Sequence, residues 1–370
     1  MSKCSGYLCY LATAIKNMGF KMNESTPVSD VAGAPHDYGR ITADVVALEA
    51  GVSPSTVSRV LSGSARVSES KRRAVEAAVA KLSFEPSPLA QGLAKGKTKT
   101  IGVITQAISS PFYGEALRGI EEQLGVLDYM PLFASGHWTN EDNIKCISLL
   151  QKRRVDGLII LTGGLSDEAV IRYSQRTPIV ITGHETVSRR VHSINLDNYA
   201  GARLATRHLI SLGHQRIACL AGPLDHFDAR ERIRGYQTAL AEEQLSQDPN
   251  LIVAGNFSAV GGMLAMNQLL DARVEFTALF ACNDQSAYGA ALSLFRKGLR
   301  IPDDISLVGF DDLYDSRFTL PPLTSVNISI FEVGRSAASA IVDLVEGRQP
   351  AVRPTAAELV VRESTTRNRR

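Results

Sequence analysis

From Thr100 onward, short apolar runs alternate with longer amphipathic stretches. The runs are Ile101 to Ile104, Leu132 to Ala134, Leu158 to Leu161, Ile179 to Ile181, Ile217 to Leu220, Ala278 to Ala281 and Ile305 to Val308. Strand-length apolar segments separated by helix-length segments form the βαβ pattern of a parallel sheet with helices on both faces, an α/β fold. The stretch is too long for one such sheet, and the pattern restarts near Asp197. Two similar subdomains are therefore expected, with a cleft between them as the natural ligand site.

Between Arg40 and Lys97 the period changes from that of strands to that of helices. Thr42 can cap a first helix whose apolar positions are Val45, Val46 and Leu48, and Ala50-Gly51 supplies a tight turn. Ser53 caps a second helix with Pro54 in its first turn. Val57, Val60 and Leu61 share one face of it, while Ser55, Thr56, Ser58 and Arg59 point away. A third helix starts at Ser68 and buries Val75, Val79 and Leu82, with Lys71, Arg72 and Arg73 on its first turns. Three short helices around a glycine turn predict a helix-turn-helix, although a small solvated bundle has the same pattern.

Charge separates these two readings. The 370 residues carry a formal net charge of only +2, with 40 Lys and Arg against 38 Asp and Glu. Residues 40–99 hold a net +5, residues 1–39 are balanced and residues 100–370 are mildly acidic. A basic module on a neutral body suits a polyanion. In a major groove the small polar residues of the second helix would lie near base edges, and Arg59 could donate two hydrogen bonds to guanine.

Several functions lack their motifs. No apolar run reaches the roughly 18 residues of a spanning helix, so no membrane partner is expected. Cys4, Cys9, Cys146, Cys219 and Cys282 are scattered and form no CxxC pair, which argues against a disulfide framework or zinc site and fits a reducing cytoplasm. No GxGxxG follows the first strand, no HExxH occurs and no serine elbow is present. Asp303-Asp304 and Asp311-Asp312 read as caps or hydroxyl acceptors more readily than as metal ligands. The segment Gly92 to Thr98 is one residue short of a phosphate loop, with Gln91 where a glycine is needed. No enzyme activity, cofactor or metal is expected. In residues 1–39, the stretch Tyr7 to Ile15 is weakly signal-like but short and interrupted. A disordered extension or a misplaced start is the expectation there, with Met22 as another candidate start.

The run Ala50-Gly51-Val52-Ser53-Pro54-Ser55-Thr56-Val57-Ser58-Arg59-Val60-Leu61-Ser62-Gly63, followed by Arg66-Val67-Ser68, resembles the DNA-binding headpiece of the lactose-repressor (LacI/GalR) family. One departure is Val45, where the family usually has an acidic residue. The resemblance implies a headpiece over 40–84 in which Thr42, Ser53, Pro54, Ser55, Thr56, Ser58 and Arg59 face DNA. It also implies a hinge helix and linker over 85–99, with Leu93 wedging between base pairs in the minor groove; without the resemblance, an ordinary linker fits as well.

The likeness continues through Ser110-Pro111-Phe112-Tyr113-Gly114, Arg207 to His214, Ala281-Cys282-Asn283-Asp284-Gln285, Leu307 to Asp312 and Pro321 to Val326. It implies that residues 100–370 form a periplasmic-binding-protein-like effector and dimerisation domain of two doubly wound parallel-sheet subdomains, with a break near 197 and crossovers near 323–355. By position, Phe112, Arg230, Phe257, Asn283 and Asp311 fall where family members contact an effector, with Arg232 as a competitor for Arg230. Gly183 stands where sugar-binding members often carry aspartate; His184 beside it joins the effector set, and His137-Trp138 is placed at the entrance. Aromatics would stack on a ring while the polar groups bond its substituents; core packing is the alternative for each aromatic.

The function implied is a cytoplasmic repressor controlled by a sugar, sugar acid or nucleoside-like effector. It would act as a homodimer on a pseudo-palindromic double-stranded DNA operator. Tyr113 to Leu127 and Ser258 to Leu270 are the candidate dimer helices, and Ser364 to Arg370 are too few for tetramer heptads. The rival is a periplasmic-type small-molecule-binding protein whose first hundred residues are a tether.

Overall fold

The computed structural model describes residues 41–63, 67–85, 97–137, 139–161, 165–183, 185–186, 188–351 and 356–369. Leu93 with the expected hinge helix, Trp138, His184 and residues 1–39 lie outside them. The chain divides into two compact units, residues 1–86 and 87–370.

The smaller unit contains helices α1 (Ala43–Glu49), α2 (Pro54–Leu61) and α3 (Glu69–Leu82). Val46, Ala47, Val57, Val75 and Ala78 are buried at its centre, with Val60, Leu61, Val79 and Leu82 packed around them. The expected inner face of α1 needs correction, because Val45 is 44% and Leu48 85% exposed. Ala43 and Ala50 pack inward instead, and they lie three and four residues from Val46 and Ala47, the spacing of a single helical stripe. Gly51 turns the chain between α1 and α2 at φ +62°, a conformation glycine adopts at little cost.

The larger unit runs, in order, β1 (Thr100–Thr105), α4 (Pro111–Val126), β2 (Met130–Ser135), α5 (Asn140–Lys152), β3 (Gly157–Ile160), α6 (Asp167–Ser174), β4 (Ile179–Thr182) and β5 (Val191–Ile194). It continues through α7 (Asn198–Ser211), β6 (Ile217–Ala221), α8 (Phe227–Glu242), β7 (Ile252–Ala254), α9 (Ala259–Asp271), β8 (Ala278–Ala281) and α10 (Asp284–Arg296). The last elements are β9 (Ser306–Asp311), β10 (Thr324–Asn327), α11 (Ile330–Val345) and β11 (Glu358–Val360).

Two sheets result. The first has the order β2-β1-β3-β4-β5 and the second β11-β10-β9-β8-β6-β7. All recorded pairings are parallel except that of β10 with β11. Central strands such as β3 and β8 are buried along their whole length, which is why they read as unbroken apolar runs. The run expected in β2 behaves differently. It lies at an edge, and Met130, Leu132 and Phe133 are exposed there.

After β10 the chain returns to the first sheet, where α11 packs on α4. Glycines allow backbone-to-backbone approach there: a Cβ at Gly119 would stand 2.1 Å from the Phe331 carbonyl oxygen, and one at Gly334 would stand 2.2 Å from that of Ala116. The chain thus passes between the sheets after β5, after β10 and after α11. The carboxyl ends of β1, β6, β8 and β9 lead into a common cleft. No helix among the described residues is long and apolar enough to cross a membrane.

Candidate functional site

Two places gather polar groups. In the smaller unit Ser53 caps α2, its Oγ accepting from the Thr56 amide at 3.3 Å and lying 2.9 Å from Ser55 Oγ and 3.0 Å from Thr56 Oγ1. Val57 holds this helix to the core, so Ser53, Pro54, Ser55, Ser58 and Arg59 stay exposed and Thr56 half-buried. Thr42 occupies the cap position of α1, but its hydroxyl makes no capping bond. An exposed row of hydroxyls with one guanidinium carries donors and acceptors without apolar bulk, as a base-reading surface requires.

The second place is a cavity of about 350 Å³ at the carboxyl ends of the strands. Its most enclosed cation is Arg232 on α8, which is 3% exposed. Arg232 Nε donates to Asn198 Oδ1 at 2.7 Å, Nη1 donates to the Cys282 carbonyl, and Nη1 lies 3.3 Å from Asp311 Oδ1. The guanidinium also stacks 3.8 Å from the centre of the Phe310 ring. These bonds use Nε and Nη1, so the donors of Nη2 are uncommitted among the described residues.

Asp311 ends β9 with φ +106°, and Asp312 follows at +50°. Two consecutive non-glycine residues at positive φ are held against a local steric cost. Asp284 supplies the restraint: it accepts from the Leu313 amide at 2.8 Å, Ser316 Oγ at 2.6 Å and Ser325 Oγ at 2.5 Å. Arg362 Nη2 bonds Asp312 Oδ1 at 2.6 Å. Burial pushes the Asp311 carboxyl up to about 8 despite the opposing effect of Arg232, and burial pushes Asp284 up to about 6. For Asp311 desolvation outweighs the ion pair, and Asp284 and Asp228 add negative charge nearby.

The remaining expected residues divide. Phe112, Phe257, Asn283 and Asp311 all line this cavity. Asn283 has a structural task as well, since its Oδ1 caps α10 through the Ser286 amide at 3.0 Å and its Nδ2 donates to the Phe257 carbonyl at 2.9 Å. Arg230 does not line it. Its Nη1 bonds the Asp225 carbonyl at 2.6 Å, and the side chain borders a neighbouring depression of about 360 Å³. The guanidinium that lines this cavity is Arg232, the competing candidate two residues on.

Sequence reasoning missed Gln106, Tyr113, His226 and Asp228. Tyr113 OH donates to Gln106 Oε1, and Gln106 Nε2 lies 3.3 Å from His226 Nε2. This relay joins the end of β1 to the start of α8 and so spans the cleft. Asp228 accepts from Asn198 Nδ2 at 2.9 Å, next to the bond from Arg232. Desolvation holds the His226 imidazole below its usual range. Among the described residues no cluster of His, Cys, Asp and Glu is disposed to hold a metal.

The model for periplasmic binding proteins and the sugar-binding domain of the LacI family matches residues 98–363, and that for bacterial regulatory proteins of the lacI family matches residues 43–87. The chain belongs to the LacI family. As a member it is a DNA-binding transcription regulator with an effector-binding domain, and not an enzyme. It is similar to the transcriptional repressor PurR of Haemophilus influenzae, at 33% identity over 86% of this chain and 97% of that protein. It is equally similar to the repressor CytR of Escherichia coli, at 33% identity over 86% of this chain and 95% of that one. Among solved structures, the lac repressor dimer bound to operator and the anti-inducer ONPF superposes with a TM-score of 0.76, at 32% identity over 88% of this chain and 99% of the other.

Proposed function

We propose that this LacI-family regulator is a cytoplasmic repressor that binds a pseudo-palindromic operator as a homodimer, and that a polar, ring-containing small molecule in the 350 Å³ cleft changes its hold on DNA. The observation that carries the effector assignment is the buried Arg232, Asp311 and Asn283 set sharing one cavity with Phe112 and Phe257. Asp311 accepts from hydroxyl or amide groups, Arg232 Nη2 donates to an oxygen, and the aromatic faces pack on a ring. A sugar, sugar acid or nucleoside meets these demands. Thr42, Ser53, Pro54, Ser55, Thr56, Ser58 and Arg59 are assigned to DNA. Leu93 and His184, outside the described residues, keep the minor-groove and effector roles that the resemblance implies. By linkage, whatever the effector does to operator affinity, the operator does to effector affinity.

Dimerisation is supported by unpartnered apolar surface. Val260 and Leu264 on α9, Leu292 and Phe295 on α10, and Met130 and Phe133 at the β2 edge are all exposed, and such patches mark interfaces more often than free surface.

Genomic footprinting of the purified protein, alone and with a panel of sugars, sugar acids and nucleosides, tests this reading. The expected result is a short palindrome whose occupancy one ligand alters. No enriched site under any condition overturns it and favours a binding protein without DNA recognition.

A further inference from the structure

The opposite end of the first sheet, where its strands begin, carries a second concavity of about 750 Å³. Its rim is formed by Lys97 before β1, Lys152 and Arg154 at the end of α5, Arg176 after α6 and Arg190 before β5. All five side chains are exposed. Asp156 is the one acid in the lining, and its carboxylate is consumed locally: Oδ1 accepts from the Thr98 amide at 2.8 Å and Oδ2 from the Lys99 amide at 2.8 Å. The neighbouring acids Asp343 and Glu346 are both paired with Arg348. Lys97, Lys152, Arg154 and Arg176 form no ion pair among the described residues.

Cations often collect at helix carboxyl ends, and Lys152 in the last turn of α5 fits that role. Arg190 has a similar task, since its Nη1 donates to the Gln175 carbonyl at the end of α6 at 2.9 Å. Arg176, Lys97 and Arg154 have none of this kind, and like charges on one rim repel unless an anion offsets them. The concavity, at about 750 Å³ with five cations around it, is larger than one small anion needs and has room for successive phosphates. Eleven residues separate Glu85 from Lys97, a tether that spans at most about 40 Å when fully extended.

We propose that this basic face takes up backbone phosphates of duplex DNA flanking the operator, a contact that carries no sequence information and adds affinity. The inference rests on the DNA-binding function of the headpiece. The test uses the full-length protein and two duplexes, one limited to the operator and one extended by further helical turns on both sides. The parent protein should bind the extended duplex more tightly and with a steeper dependence on salt. Reversal of charge in Lys152→Glu/Arg176→Glu should abolish that gain, weakening the extended duplex about tenfold or more and lowering the log–log salt slope by about 2 per protomer. Affinity for the short duplex should not change. The neutral pair Lys152→Gln/Arg176→Gln should fall between the two, and an unchanged unfolding midpoint would show that the variants fold.

Equal affinity of the parent for both duplexes overturns the assignment and leaves operator binding intact. Tripolyphosphate binding at this face with no effect of flank length also overturns it, in favour of a free phosphoanion site. A parent that binds neither duplex overturns this assignment and the regulator function together.

Discussion

The two sides of the effector cleft are built from different chemistry. The side contributed by the first sheet offers Gln106, Ser109, Ser110, Phe112 and Tyr113, none of them charged, whereas the second sheet's side supplies Asp228, Arg232 and Asp311 together with Asn283. The charged side is braced before any ligand arrives: Arg232 is bonded to Asn198 and Cys282, and the Asp311 loop is held by Asp284. Phe112, in contrast, is half-buried and packs against the cores of both subdomains. The difference suggests a division of labour, in which the second subdomain anchors the polar groups of the effector and the first closes an aromatic face over it. Substitutions on the two sides should then fail differently. Arg232→Ala should have the largest effect. It strips the Asn198 and Cys282 oxygens of their buried donor and, above about pH 8, leaves the Asp311 carboxylate without a counter-charge, so the loss should be about 2 to 3 kcal/mol and larger in alkaline solution. Urea unfolding should show that loss, and operator release by any effector should disappear. Retained stability and response would remove Arg232 from the centre of the site.

Phe112→Ala probes the other side. Loss of one aromatic face is worth about 1 kcal/mol beyond area burial, so effector affinity by calorimetry should fall about tenfold with less destabilisation than Arg232→Ala causes. A variant in which stability falls as much as for Arg232→Ala, with no change in affinity, would make Phe112 a packing residue only.

The buried acids predict a smaller effect, one that depends on pH. A folded-state carboxyl near 8 for Asp311 and near 6 for Asp284 lies above the roughly 3.9 of an unfolded aspartate. The folded chain therefore keeps protons that the unfolded chain has lost. The stability this lends is complete below about pH 4 and is lost as pH rises through the folded value. His192, His208, His214 and His226 are all held below their usual value by burial and act in the opposite sense, and each is still about a quarter protonated in the unfolded chain at about pH 7. The Asp311 contribution is therefore read as the difference between the parent and Asp311→Asn. Between about pH 7 and 8 the parent should lose about 1 kcal/mol per pH unit relative to that variant. Parallel profiles for the two proteins would mean that Arg232 keeps the carboxylate ionised.

Legibility in the sequence followed burial. Strands enclosed on both faces announced themselves as apolar runs, but β5 has a buried residue only at each end, and β7 and β11 are three residues long; such edge segments carry too little apolar pattern to be seen. In the headpiece, the apolar character of Val45 and Leu48 was legible but misleading, because a helix of two turns buries a narrow stripe and small alanines complete it. Phe112, Phe257, Asn283 and Asp311 were legible through the family motif. Gln106 and His226 were not, because the relay they form joins residues 120 positions apart and no local pattern encodes it.

The choice between Arg230 and Arg232 was open to a local argument. The buried positions of α8 are Ala229, Arg232, Gly235, Tyr236, Ala239 and Leu240, a continuous stripe at helical spacing that includes Arg232 and passes over Arg230. A charged residue on such a stripe must be paired or functional, since an unpaired buried charge is costly. Arg230→Ala therefore sharpens the comparison by the smallness of its effect. Stability should change by less than about 0.5 kcal/mol, and the concentration of effector needed for operator release should shift little. A response lost in Arg230→Ala and kept in Arg232→Ala would move the binding centre to the depression beside Gly183 and Ser166 and reverse the assignment of the anchoring side.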